Sequence, residues 1–175
     1  MDSLDGFCNP GYCPTFVQGK SGQAVQFSAG KWIELPSDLT SSAALGPATG
    51  TIAVWIKPSE GYNIDIKERI IYSSTGSYSK RTPSLQFWNG QLVFTVGNGV
   101  DTDATKVYYV FEHPTIAFPK DTWHHIAVTW DANSIKFYKD GVYMQTFTPT
   151  KSIKSFPETI KKIGGMSASY PDSSF

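Results

Sequence analysis

Asp121-Thr122-Trp123-His124-His125-Ile126-Ala127-Val128-Thr129-Trp130-Asp131, followed by Ile135-Lys136-Phe137-Tyr138-Lys139-Asp140-Gly141-Val142, is the stretch whose reading decides the fold. Ile126, Val128 and Trp130 alternate with His125, Ala127 and Thr129, the two-residue period of a strand with one apolar and one mixed face. Asp140-Gly141 suits a tight type I′ turn, so the runs 134–139 and 142–147 read as an antiparallel hairpin. A second hairpin is marked by Asn89-Gly90, between 84–88 and 91–96, where Leu92, Phe94 and Val96 alternate with Val93 and Thr95. In both alternating runs, 91–96 and 124–130, one face is predicted to pack inside and the other to meet solvent or a ligand.

Outward from these hairpins, Gly and Pro punctuate short runs rich in Val, Ile, Thr, Phe, Tyr and Trp. The remaining predicted strands are 24–27, 32–35, 50–57, 69–74, 105–110 and 161–163. Ten or eleven strands without helical periodicity predict an all-β chain, a two-sheet antiparallel β-sandwich, and 175 residues fit one domain, 1–175. Lys plus Arg number 15 and Asp plus Glu number 15, so no net field draws the chain to nucleic acid or an anionic membrane. Apolar runs such as 126–130 fall far short of the roughly 20 residues that span a bilayer, so no membrane insertion is expected. Met1-Asp2-Ser3-Leu4-Asp5 carries neither the basic nor the apolar region of a signal peptide, and reads as a mature form or a start with an added Met.

The two cysteines, Cys8 and Cys13, flank Asn9-Pro10-Gly11-Tyr12. Pro10-Gly11 turns the chain and favours a small disulfide loop. A metal site is the sharper alternative, but it needs two further ligands, and His113, His124 and His125 lack finger-like spacing to the cysteines. Two spare thiols are the third reading, which a thiol assay separates from the first.

The 121–142 segment resembles the central hairpin of laminin-G-like jelly rolls in the concanavalin A-like lectin/glucanase superfamily. Weaker matching features stand in order around it: Gly19-Lys20-Ser21-Gly22-Gln23-Ala24-Val25-Gln26-Phe27, Gly50-Thr51-Ile52-Ala53-Val54-Trp55-Ile56-Lys57-Pro58, Leu92-Val93-Phe94-Thr95-Val96-Gly97-Asn98-Gly99 and Ile163-Gly164-Gly165. The resemblance implies two curved sheets face to face, an extracellular or cell-surface location, and binding of a glycan or an extracellular protein. It also implies calcium, held by carboxylates and carbonyls at a rim, for which Asp101 and Asp103 in a Gly-rich loop are the local candidates, with Asp172 as another acid near the family's last strand. The family's usual first and last strands find no match, so the domain is expected to lack them. Strand exchange with a partner chain, and hence self-assembly into a filament or sheath, is the alternative function.

Glycosidases on this fold need paired carboxylates on one strand face about 5 Å apart for retaining hydrolysis. Glu34, Glu60, Glu68, Glu112 and Glu158 stand singly, so no enzyme is expected. Trp55, Trp123 and Trp130 are assigned to the core. Adjacent strand residues point to opposite faces, so His124 and His125 are not co-ligands; one is expected inside and one outside. Trp88, Tyr108 and Tyr109 are the leading glycan-binding candidates, with Tyr62, Tyr78 and Tyr170 behind them, because sugars stack on exposed planar rings beside polar groups.

Overall fold

The computed structural model describes residues 6–28, 30–35, 49–58, 69–75, 83–88, 91–96, 108–111, 118–149, 153 and 160–164. Within them lie twelve strands: β1 (Thr15–Gln18), β2 (Gln23–Gln26), β3 (Ile33–Glu34), β4 (Gly50–Ile56), β5 (Arg69–Thr75), β6 (Ser84–Trp88), β7 (Gln91–Thr95), β8 (Tyr108–Phe111), β9 (His124–Trp130), β10 (Ile135–Lys139), β11 (Val142–Phe147) and β12 (Ile160–Ile163). The all-β reading holds. The predicted strands recur within one or two residues, apart from 105–107, which fall outside the described residues. Strand β1 was not predicted, because Thr15-Phe16-Val17-Gln18 remains exposed along its length and carries no alternation of burial.

Strands β1 and β2 pair as a separate hairpin; β11-β10-β9-β4 form a four-stranded sheet and β3-β12-β5-β6-β7-β8 a six-stranded one. All pairings are antiparallel. The chain crosses between layers: β4 joins β9 across some seventy intervening residues of sequence, and the late β12 inserts between β3 and β5.

One apolar core fills the space between the two large sheets. From the six-stranded sheet come Ile71, Leu85, Phe87, Leu92 and Phe94; from the four-stranded sheet come Ile56, Ile126, Val128, Trp130, Ile135 and Phe137. Phe94 and Trp130 meet across the layers with ring centroids 5.0 Å apart, and Phe87 meets Phe118 edge-on at 4.9 Å. Each such buried ring contributes roughly 1.5–3 kcal/mol through the apolar area it removes from water.

The two sheets differ in an unexpected way. Strand β9 alternates, with His124, Ile126, Val128 and Trp130 buried and the residues between them partly exposed. In β6 and β7, by contrast, Ser84 to Phe87 and Leu92 to Thr95 are buried on both faces, and Ser84 and Thr95 satisfy each other's hydroxyls there. The mixed face predicted for the second hairpin is therefore covered, as the almost unbroken apolar run Leu92-Val93-Phe94 permits.

The amino-terminal segment is tied to the sheet edge. Phe7 and Glu34 exchange backbone hydrogen bonds at 2.8 and 2.7 Å, and Cys8 is joined to Cys13 with their Cα atoms 5.1 Å apart. Tyr12 N–H closes the loop onto the Asn9 carbonyl at 2.9 Å, with Gly11 at a φ of 90°, the conformation that a type II turn asks of its third residue. The Tyr12 ring lies 4.4 Å from that of Trp32, whose other neighbour is the Lys162 ammonium, 4.4 Å from the ring centre.

Candidate functional site

The outer surface of the four-stranded sheet follows from strand parity. Ile52, Val54 and Ile56 turn inward, so Thr51, Ala53 and Trp55 turn outward. Trp55 is 47% exposed, whereas Trp130 is 4% exposed. This corrects the core assignment of Trp55: it occupies the parity of Thr51 and Ala53. Trp123 is half-buried and precedes β9 at the parity of His125, Ala127 and Thr129, so it also leaves the core. Only Trp130 of the three is fully inside.

Registers place the outward residues in rows. Trp55 is opposite His125; Ala53, Ala127 and Tyr138 are aligned, with Tyr143 beyond Tyr138; Thr51, Thr129, Lys136 and Thr146 form the next row. The centre of this grid is two alanines. Around them stand rings and polar groups.

At one corner the Trp55 and His125 rings lie 5.2 Å apart, tilted by 55°. Lys20 Nζ is 5.3 Å from the Trp55 ring centre. Lys20 belongs to the β1–β2 turn, closed by the Gly19 N–H donating to the Gly22 carbonyl at 2.9 Å. A hairpin outside both large sheets thus delivers a cation to the tryptophan, an arrangement worth about 0.5–1 kcal/mol at exposed positions. At the other side the Tyr138 and Tyr143 rings meet edge-on at 5.9 Å, and the Tyr143 hydroxyl donates to Thr146 Oγ1 at 2.9 Å. A register shift after Phe137 brings Tyr143 opposite Tyr138.

The turn below this face is held by Asp140. It sits at φ 50° with Gly141 at φ 81°, the paired left-handed conformation of the predicted type I′ turn. Asp140 Oδ1 accepts the His125 N–H at 2.8 Å, and Oδ2 lies 3.1 Å from both His124 Nδ1 and Lys139 Nζ. Partial burial works to raise the Asp140 pKa, but the His125 N–H, His124 and Lys139 outweigh it and hold the carboxyl below its ordinary value. The histidine pair divides as expected: His124 is buried against Phe118, and His125 faces outward beside Trp55.

The leading aromatic residues predicted as a glycan site lie on the six-stranded sheet. Trp88 ends β6 opposite Gln91, while Tyr108 and Tyr109 on β8 stand opposite Thr95 and Phe94. Tyr109 and Trp88 are thus two strands and three residues apart, roughly 14 Å between backbones. Asp101, Asp103 and Asp172 lie outside the described residues, as do Tyr62, Tyr78 and Tyr170. Among the described residues no group of three or more His, Cys, Asp or Glu is placed to hold a metal ion, and no helix is long and apolar enough to cross a membrane. What this face offers chemically is flat rings, hydroxyls and ammonium groups around a low floor, a set suited to holding a ligand.

The sequence of residues 27–175 matches the laminin-G-type family model described as the concanavalin A-like lectin/glucanases superfamily. The chain belongs to this superfamily. No curated protein matches it in sequence. Among solved structures, this concanavalin A-like chain is similar to domain 4 of AbnA, an extracellular GH43 arabinanase from Geobacillus stearothermophilus, in complex with arabinotriose. The identity is 20%, covering 95% of this chain and 73% of that one, with a TM-score of 0.68. It is also similar to the Ruminococcus gnavus IT-sialidase CBM40 bound to α2,3-sialyllactose, at 16% identity, 73% and 71% coverage and a TM-score of 0.53. Mouse laminin α1 domains LG4-5 match at 16% identity and a TM-score of 0.50, covering 71% of this chain and 30% of that one. At such identities the likeness is one of fold.

Proposed function

We propose that this chain is a non-catalytic, extracellular binding module that holds a glycan on the outer face of its four-stranded sheet. The observation that carries the reading is Trp55, a large ring left in solvent between His125 and Lys20 on a strand whose alternate residues fill the core. An exposed ring with adjacent donors offers a sugar both a stacking surface and hydrogen bonds. Solved relatives by fold include domains in complex with arabinotriose and sialyllactose, which supports a glycan as the partner class. The Cys8–Cys13 disulfide supports an oxidising compartment.

The test is a glycan array probed with the purified chain and with Trp55→Ala. Binding that disappears in the variant supports the reading; an array with no hit, or hits indifferent to Trp55, overturns it. Native size serves as the control, since polymerisation of the pure chain would favour assembly by strand exchange instead.

A further inference from the structure

We infer that the face around Trp55 takes an internal stretch of three or more sugar rings, running diagonally from Trp55 to the Tyr138–Tyr143 pair, rather than a single terminal sugar. The inference rests on the glycan reading above and deepens it.

Its basis is the spacing of the two aromatic groups and what lies between them. Trp55 pairs with His125 on β9, and Tyr138 pairs with Ala127, two residues further along that strand. Two strand spacings across and two residues along separate their backbones by roughly 12 Å. One monosaccharide does not bridge that distance. The diagonal crosses β9 between His125, whose ring lies against Trp55 as part of that corner, and Ala127, with Ala53 beside it; the two alanines are the smallest side chains on this face and leave a low floor next to the ring systems. Thr51, Thr129 and Lys136 border the floor on one side, and their hydroxyl and ammonium groups match the hydroxyl and ring oxygens along a sugar chain. A terminal-sugar site would instead need a closed pocket that reads one end. Here Thr51, Ala53, Trp55, Lys136 and Tyr143 are all exposed, and the described residues form no closed pocket around them.

The experiment uses the highest-scoring glycan of the array, hydrolysed to fragments of one to six rings, titrated against the full chain and the variants Trp55→Ala, Tyr143→Ala and Ala127→Gln. Affinity is expected to climb between one and three or four rings and then level off. Tyr143→Ala should weaken long fragments roughly tenfold and leave one-ring fragments unchanged, as expected for losing one aromatic contact. Ala127→Gln, which raises the floor, should do the same. Tyr143 is exposed, so its removal tests contact and not folding. Affinity independent of length, or long-fragment binding that needs Trp55 but ignores Tyr143 and Ala127, overturns the inference while leaving the glycan reading in place. Loss of all binding from the array removes both.

Discussion

Nδ1 of His124 lies 3.1 Å from Oδ2 of Asp140, joining a buried ring on β9 to the tip of the β10–β11 hairpin. The other oxygen of the same carboxylate takes the backbone N–H of His125, whose ring is on the opposite face. One acid therefore fixes the inward histidine, the outward histidine's backbone and the turn between two strands.

Replacing Asp140 by Asn tests that role without disturbing the turn, because Asn tolerates a positive φ. The folded carboxyl titrates below its unfolded value of about 3.9, so its contribution is complete above that pH and is lost as pH falls through the folded value. Asp140→Asn is expected to cost about 1 kcal/mol at neutral pH, kept small by the 40% exposure of the side chain. Urea midpoints measured against pH should show the two proteins converging in strong acid. A gap that stays constant down to that range would refute the assignment.

Trp55 and Trp130 are expected to separate binding from folding. Trp55→Ala should cost about 1 kcal/mol, since the ring is 47% exposed and its partners Lys20 and His125 are outside the core. Trp130→Ala, which empties the place where that ring meets Phe94, should cost about 3–5 kcal/mol. Thermal melts of the two variants check both.

Gly50 is opposite Trp130, and a methyl group there would overlap the indole, a rigid ring already packed in the core. Gly50→Ala should destabilise by about 1–3 kcal/mol, while Thr51→Ala next to it, on the outer face, should be close to neutral. The contrast is read from denaturant midpoints.

The disulfide closes a loop from Cys8 to Cys13. Chain entropy assigns such a short loop about 2 kcal/mol, so the double Ser variant should lose up to that amount. Because Tyr12 rests on Trp32, the loss should be accompanied by a change in near-ultraviolet circular dichroism from that pair. Unchanged aromatic signals would mean that the loop holds its place without the bond.

The architecture was readable because two hairpins carry Asp-Gly and Asn-Gly turns between runs of period two, and the structure keeps both pairs of strands. The histidine pair was readable for the same reason. Trp55 was misassigned because ring size was weighed above parity: Ile52, Val54 and Ile56 already claim the inner face, and that alternation was the available signal. The rows that bring Trp55, Ala127 and Tyr138 onto one face depend on β4 pairing with β9, a contact far apart in sequence that no local pattern encodes. Strand β1 and the reach of Lys20 to Trp55 were hidden likewise, since both arise from a hairpin with no buried face of its own.

The parity of β4 and β9 separates two kinds of constraint along the same few residues. Thr51, Ala53, Ala127 and Thr129 can be exchanged to suit a different guest while Ile52, Val54, Ile126 and Val128 keep the layers together. Ser84 to Phe87 of β6 and Leu92 to Thr95 of β7, enclosed on both faces, offer no such spare positions. Diversification of what this protein recognises is thus channelled to one side of the sandwich, and a library of variants that keeps every second residue fixed should yield new specificities without new folding problems.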